Sequence, residues 1–301
     1  MNRITLWLAL LLLSAVGNAK AVTVAVTIKP LHSIAAAVMH GVDSPQLLLD
    51  GTVSPHIDRI RPSLLRTMRA ADLFIWIGPG LESFLAPAVN ELPDKVSVLT
   101  ASEQTLAASI ALRDSHHDHS VEHHDHEKAI VDPHLWLDPA NAAAIAQAIA
   151  TQLAQIDPGN ATQYAANARD FAAQMTALVA FGDALLVSSK QAPFVLFHDF
   201  AQYLENRFAL NNAGVVTYQP QVSASARHLK ALQRSIEALN VSCVLTEPQF
   251  EDRAVRALHT GSNIRYAVID PLASAYEPNA SLYTVWFRDT LHHLHECLSH
   301  E

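Results

Sequence analysis

Short β-branched runs alternate with helical segments along most of this chain, and that alternation constrains its fold more than any other feature. Val22 to Ile28 reads VTVAVTI, the unbroken apolar run of a strand covered on both faces. Pro30 then opens a helix that runs through Ile34 and Val38 to about His40. Further strands are predicted at Gln46 to Leu49, Leu73 to Ile77 and Val96 to Leu99, with helices at Pro62 to Ala70 and Leu81 to Val89. The rhythm returns later, with strands at Phe194 to Phe197, Gly214 to Val216, Cys243 to Thr246 and Tyr266 to Ile269. Helices there are predicted at about Phe200 to Phe208, Ser223 to Leu239, Asp252 to His259 and Ser281 to Leu298. Strands separated by helices pair in parallel, so the expected class is α/β with two lobes of similar size. No residue-level repeat links the two.

Between them lies a different texture. Asp138-Pro139 is a helix start, with Asp as N-cap and Pro in the first turn, and an alanine-rich helix follows to about Ile156. Asp157-Pro158-Gly159-Asn160 breaks it. Tyr164, Ala168, Phe171, Met175, Leu178, Gly182 and Leu185 then recur at spacings of three and four. From Asn160 to Leu186 such a helix spans about 40 Å and suits a strut between lobes. The expected organisation is a first lobe over residues 22–158, a connecting helix over 159–189 and a second lobe over 190–301.

The first 21 residues read as a leader. Arg3 is a positive start, Leu6 to Val16 an apolar stretch too short to span a membrane, and Ala19-Lys20-Ala21 a cleavage pattern. No Cys follows it to carry a lipid. The expectation is an exported protein that does not span the membrane. A net charge of −9 argues against nucleic acid as a partner. The two cysteines, Cys243 and Cys297, are an even pair in an exported chain, which suggests a disulfide; two buried thiols are the alternative. A bridge closing that loop stabilises by about 4 kcal/mol in the chain-entropy model.

Residues 114–127 hold the densest chemistry. His116, His117, His119, His123, His124 and His126 fall within eleven residues, interleaved with Asp118, Glu122 and Asp125. Imidazole is a good ligand for zinc, copper and nickel, and carboxylates concentrate cations nearby. A polar, aperiodic tract offers many weak sites and suits an accessory role. Four other residues follow strands: His56 after the second, His134 after Ala129 to Val131, His198 after Phe194 to Phe197, and Asp270 after Tyr266 to Ile269. In open α/β sheets ligands bind beyond the carboxyl ends of strands. Three His and one Asp, two from each lobe, form a set suited to Zn²⁺. Glu247, also at a strand end, is placed to support a ligand from behind. Each has a plainer reading: His56 as a turn residue, His198 beside a helix cap, Asp270-Pro271 as an ordinary turn. The last helix's His292, His293 and His295 read as a solvated face.

The segments SPHIDRIRPS (54–63), DPHLWLDP (132–139), LFHDFAQYLENRF (196–208), TEPQF (246–250) and VIDPLASAY (268–276) resemble the metal-binding solute receptors of ABC importers, most closely their periplasmic zinc branch. The resemblance covers nearly the whole chain after the leader. It implies two Rossmann-like lobes with parallel sheets joined by one long helix, with the metal in the cleft between them. It implies ligands at His56, His134 and His198, with Asp270 near or on the metal. His198, where manganese receptors often carry Glu, the acidic His-rich loop and the Cys243–Cys297 pair all look like the zinc branch. Longer tracts occur in that branch than the one here. The implied protein is a monomeric zinc receptor, not an enzyme, that hands Zn²⁺ to an inner-membrane permease driven by a cytoplasmic ATPase. A manganese or iron receptor is the alternative within the family. A zinc hydrolase is the rival from another class, but no H-E-x-x-H motif is present. A surface adhesin of this fold needs an anchor that the sequence lacks.

Overall fold

The computed structural model describes residues 21–56, 59–104, 106–113, 131–218, 222, 224–250 and 264–299. The leader through residue 20, the histidine tract and the helix expected at Asp252 to His259 lie outside them.

Two four-stranded sheets form, both parallel throughout. The first contains β1 (Val24–Val26), β2 (Gln46–Leu47), β3 (Leu73–Trp76) and β4 (Ser97–Thr100), in the order β2-β1-β3-β4. The second contains β5 (Phe194–His198), β6 (Asn212–Thr217), β7 (Cys243–Thr246) and β8 (Arg265–Val268), in the order β6-β5-β7-β8. The two orders are the same path walked twice, although no residue-level repeat accompanies it. Central strands are fully buried because helices cover both faces: β3 reads LFIW and β7 reads CVLT.

Helices α1 (Lys29–Val38), α2 (Pro62–Ala70), α3 (Ala86–Asn90) and α4 (Pro139–Ile156) belong to the first half. The helix α4 starts as its sequence requires, with the Asp138 side chain accepting from Ala140 N at 2.9 Å. Arg207 grips the same carboxylate from the second half through Nε at 2.8 Å and Nη2 at 2.6 Å. The second half supplies α6 (Gln202–Phe208), α7 (Ala226–Leu239) and α8 (Leu282–Leu298).

Joining them is α5 (Ala161–Leu186), 26 residues long, or about 39 Å at 1.5 Å per residue. Its buried stripe is Tyr164, Ala168, Phe171, Met175, Leu178, Gly182 and Leu186. Gly182 is there for proximity: a Cβ would fall 2.5 Å from Phe208 Cε1 and 3.1 Å from Leu291 Cδ1. The helix packs on α1 and α4 on one side and on α6 and α8 on the other. One hydrophobic core accordingly runs through both halves, from Phe74 and Trp136 to Phe171, Phe194, Tyr283 and Trp286. A second, smaller cluster lies under α7, around Val195, Val216, Leu232 and Ile236. Cys243 and Cys297 are bonded, with Cα atoms 5.6 Å apart, which ties β7 to α8. None of the described helices is long and apolar enough to cross a membrane.

Of the strand expected at Ala129 to Val131, only Val131 lies within the described residues. Val131 makes only an isolated antiparallel bridge to Ala111, and the chain then turns into a short 3₁₀ helix over Leu135–Leu137. His134 is carried at the cap of that buried turn. The apolar Leu135-Trp136-Leu137 holds that turn in the core, each residue 0% exposed. Trp136 Nε1 donates to Pro271 O at 2.8 Å, and Tyr283 donates to Trp136 O at 2.6 Å, so the turn is pinned to the second half.

Candidate metal centre

Three imidazoles meet between the sheets. His56 comes from the loop after β2, His134 from the capped turn before α4, and His198 is the last residue of β5. Their ring centroids are 5.3, 5.3 and 5.2 Å apart, a nearly equilateral triangle. One nitrogen from each falls within 4.8 Å of the others. His56 Nε2 and His134 Nε2 are 3.3 Å apart. Two nitrogens each about 2.05 Å from one tetrahedral zinc ion would be separated by about 3.3 Å. His134 and His198 are 4% and 2% exposed, while His56 is partly exposed. The site is therefore reached past His56.

Carboxylates orient two of the rings from behind. Asp132 Oδ1 lies 2.8 Å from His134 Nδ1 and also accepts from His134 N at 2.9 Å. Asp132 Oδ2 accepts from Gln202 Nε2 at 2.8 Å, so the second half steadies a ligand of the first. Glu247 Oε2 lies 3.1 Å from His198 Nδ1. Each carboxylate draws the ring proton to Nδ1 and leaves the Nε2 lone pair for a metal. His198 and Glu247 close β5 and β7, the pair between which the strand order of the second sheet reverses.

The rings differ in charge preference. Burial, then the proximity of His134 and His198, pushes the His56 pKa down to about 2. Burial also disfavours a charge on His134, but Asp132 outweighs it and the pKa rises. So His56 offers a neutral nitrogen, whereas a proton competes with a cation for His134 more strongly than for an ordinary imidazole.

Asp270, expected near or on the metal, is engaged in its own loop. Asp270 does not join the three-His group. Its Oδ1 accepts from Gln249 Nε2 at 3.2 Å and Leu272 N at 3.1 Å, and its Oδ2 accepts from Ser274 N and from Ser274 Oγ at 2.6 Å. The carboxylate turns back to shape its own loop, where buried Ala273 sits at φ 52°. Lys29 Nζ reaches that loop from α1, at 2.6 Å from Ser274 O and 2.8 Å from Tyr276 O. Gly51, at φ 82°, lets the His56 loop approach: a Cβ there would meet Leu272 and Ser274 at 3.3 Å.

Sequence reasoning overlooked Asp132, Gln202 and Gln249. Asp132 had a signal, since an Asp two residues before a His is within reach of that ring. The cavity among the imidazoles is about 10 Å³ and is bordered by Ser54, Trp136, Glu247 and Gln249. That is room for about one ion or water. A larger groove of about 520 Å³ runs along β8 and α8 and shares no residue with it. Such a set of nitrogens, nearly enclosed and with two rings backed by carboxylates, could hold one borderline-soft cation.

Comparison with known proteins agrees. The family model for the periplasmic zinc-uptake complex component A matches residues 24–297. The high-affinity zinc uptake system protein ZnuA of Brucella suis biovar 1 is 33% identical over 308 residues, covering 92% of this chain and 91% of the relative. The Yersinia pestis protein of that name is 32% identical over 277 residues, covering 88% and 87%. A crystal structure of ZnuA superposes with a TM-score of 0.78 at 22% identity, covering 93% of this chain and all of the other. The Mn²⁺ complex of FpvC from Pseudomonas aeruginosa also gives 0.78, at 21% identity, covering 93% and 99%. These last two speak to the fold.

Proposed function

Because the chain belongs to the family of periplasmic zinc-uptake complex component A proteins, we propose that it is the high-affinity receptor of a zinc importer. It captures Zn²⁺ in the periplasm and delivers it to an inner-membrane permease driven by a cytoplasmic ATPase. The observation that carries this reading is the convergence of His56, His134 and His198 in one enclosed cavity. Three nitrogens favour Zn²⁺ over Mn²⁺, which prefers oxygen-rich sites. The backing carboxylates raise ligand basicity without adding an oxygen ligand.

The finer features belong to the same proposal. Residues 1–21 are a leader removed on export. Residues 22–158 and 190–301 are the metal-binding lobes, 159–189 the connecting helix, and the receptor acts as a monomer. It does no chemistry on its cargo. A nearly enclosed three-His site whose bordering carboxylate, Glu247, is engaged with His198 is a holding site, whereas a zinc hydrolase needs room for substrate beside the metal. The test is metal analysis of untagged protein, with Zn²⁺ and Mn²⁺ in competition. One tightly held zinc per chain, preferred over manganese, is the expected result. Preference for manganese, or zinc-dependent hydrolysis of an ester or peptide substrate, would overturn it.

A further inference from the structure

We propose that α2 and α7 carry a paired basic face that seats the protein on an anionic phospholipid surface, with the mouth of the cleft turned towards it. The two helices hold equivalent places. In sheets of the same strand order, α2 leaves the edge strand β2 and leads to β3, and α7 leaves the edge strand β6 and leads to β7. Each therefore starts at the carboxyl end of its sheet, the end that carries His56 in one half and His198 in the other. Each buries little: Leu64 and Met68 on α2, Leu232 and Ile236 on α7. Charge gathers on what is left. Residues 59–69 read RIRPSLLRTMR, and Arg59, Arg61, Arg66 and Arg69 are exposed with no acid among them. On α7, Arg227, Lys230 and Arg234 are exposed at spacings of three and four, one helix face, and Glu237 is the single acid. The first run holds four positive charges and the second a net two, in a chain whose total is −9.

Helix stability does not account for these cations. Arg61 is the N-cap of α2 and Arg227 the second residue of α7, where the helix dipole favours an acid, and neither first turn holds one. Arg61 lies near Asp50, and Arg69 reaches Glu91 at 3.9 Å. All four residues are exposed, so these contacts are screened and readily exchanged for another anion. The chemistry points to the partner. All but one of the cations are arginines, whose planar fork matches phosphate oxygens two at a time. Exposed Ile60, between Arg59 and Arg61, suits a boundary that is charged outside and apolar beneath. A planar surface laid across the cleft mouth reaches the start of both helices. It repels the rest of the chain, which is more acidic still, so the protein meets it cleft first. For the receptor proposed above, that orientation brings the cargo to the membrane that holds its permease.

The test is co-sedimentation of the full exported chain with phosphatidylcholine vesicles, either pure or containing about one-third phosphatidylglycerol. Wild type should bind the anionic vesicles, not the pure ones, and release as salt rises. Arg66→Gln with Arg69→Gln, and Lys230→Gln with Arg234→Gln, should each lower binding by about tenfold or more. Lys95→Gln with Arg169→Gln removes equal charge from exposed sites off the two helices and should stay within about twofold of wild type. Circular dichroism confirms that each variant is folded. An equal loss in all three pairs overturns the proposal, as does a folded wild type that ignores anionic vesicles. If it ignores them while the α2 and α7 pairs still slow zinc uptake in cells, the face meets an acidic protein and not lipid. Zinc affinity, read separately by chelator competition, should be the same in every variant. A wild type that binds anionic vesicles but has no tight zinc site defeats the receptor reading and not the seating.

Discussion

His56 Nε2 and His134 Nε2, from residues 78 apart in sequence, lie 3.3 Å from each other. Two imidazoles at that distance cannot both be cationic, and the pKa values split: His56 is held down to about 2 and His134 is raised. Only the neutral rings bind metal, so affinity falls as pH falls, and the raised His134 brings the loss in early. Zinc binding should weaken steeply between roughly pH 7.5 and 5. Calorimetry in buffers of different ionisation enthalpy should also show proton release that grows as pH falls through that range. A flat affinity across that range would remove imidazole from the site.

Ligand and support should separate by size of effect. His198→Ala removes a ring that is 2% exposed and should abolish tight zinc binding. Glu247→Gln keeps the ring but loses its anionic partner, 3.1 Å away, and should cost about 10–100-fold in affinity. His292→Ala, on the exposed face of α8, should change nothing. Chelator competition ranks all three, and tight binding by His198→Ala would strike that residue from the site.

Glu82 gives the metal-free protein a pH-dependent stability of predictable sign. Burial pushes its pKa up from 4.5 to about 7, against donors at Thr27 Oγ (2.6 Å), Gly78 N (3.0 Å) and Ile77 N (3.3 Å). An acid whose pKa is raised by folding binds its proton more tightly in the native state. Its contribution is therefore greatest at low pH and is lost as pH rises from 4.5 through about 7. Glu82→Gln should flatten the urea midpoint across that interval. A slope equal to wild type would show that Glu82 is ionised in the fold.

The tie between β7 and α8 leaves no free cysteine. Thiol titration of the denatured, unreduced chain should find none. Replacing both cysteines by serine should cost about 2–5 kcal/mol in unfolding free energy. Zinc affinity at permissive temperature should survive, because neither cysteine borders the imidazole cavity.

Deleting residues 115–127 should leave one tight zinc site and remove weaker ones. Ordering such a polar tract costs on the order of 1 kcal/mol or more per fixed residue, which keeps its own sites weak. Loss of the tight site from a folded deletion protein, seen by calorimetric titration, would move the metal centre into the tract.

The fold was largely legible because buried parallel strands announce themselves: FVLFH and CVLT have no other use than a covered sheet. The stripe from Tyr164 to Leu186 likewise reads directly as a helix between layers. What stayed hidden depended on side chains folding back on their own backbone. Asp270 stands just past a strand, where a ligand belongs, yet its oxygens are taken by Leu272 and Ser274, an arrangement that spacing cannot reveal. The turn that carries His134 was hidden too, because the run Leu135-Trp136-Leu137 has no periodicity that marks a buried 3₁₀ helix. Asp132 could have been found, since its carboxylate reaches a ring only two residues away.

His56 and His134 precede α5 in the chain and His198 follows it, so neither half owns a complete coordination sphere. An ion held by all three would be the narrowest piece of the joint between them. Loading becomes a matter of shape as well as of chemistry. A partner that gauges the gap between the rims of the cleft reads occupancy without touching the cargo, and one that widens the gap empties the receptor by drawing a single imidazole away from the other two.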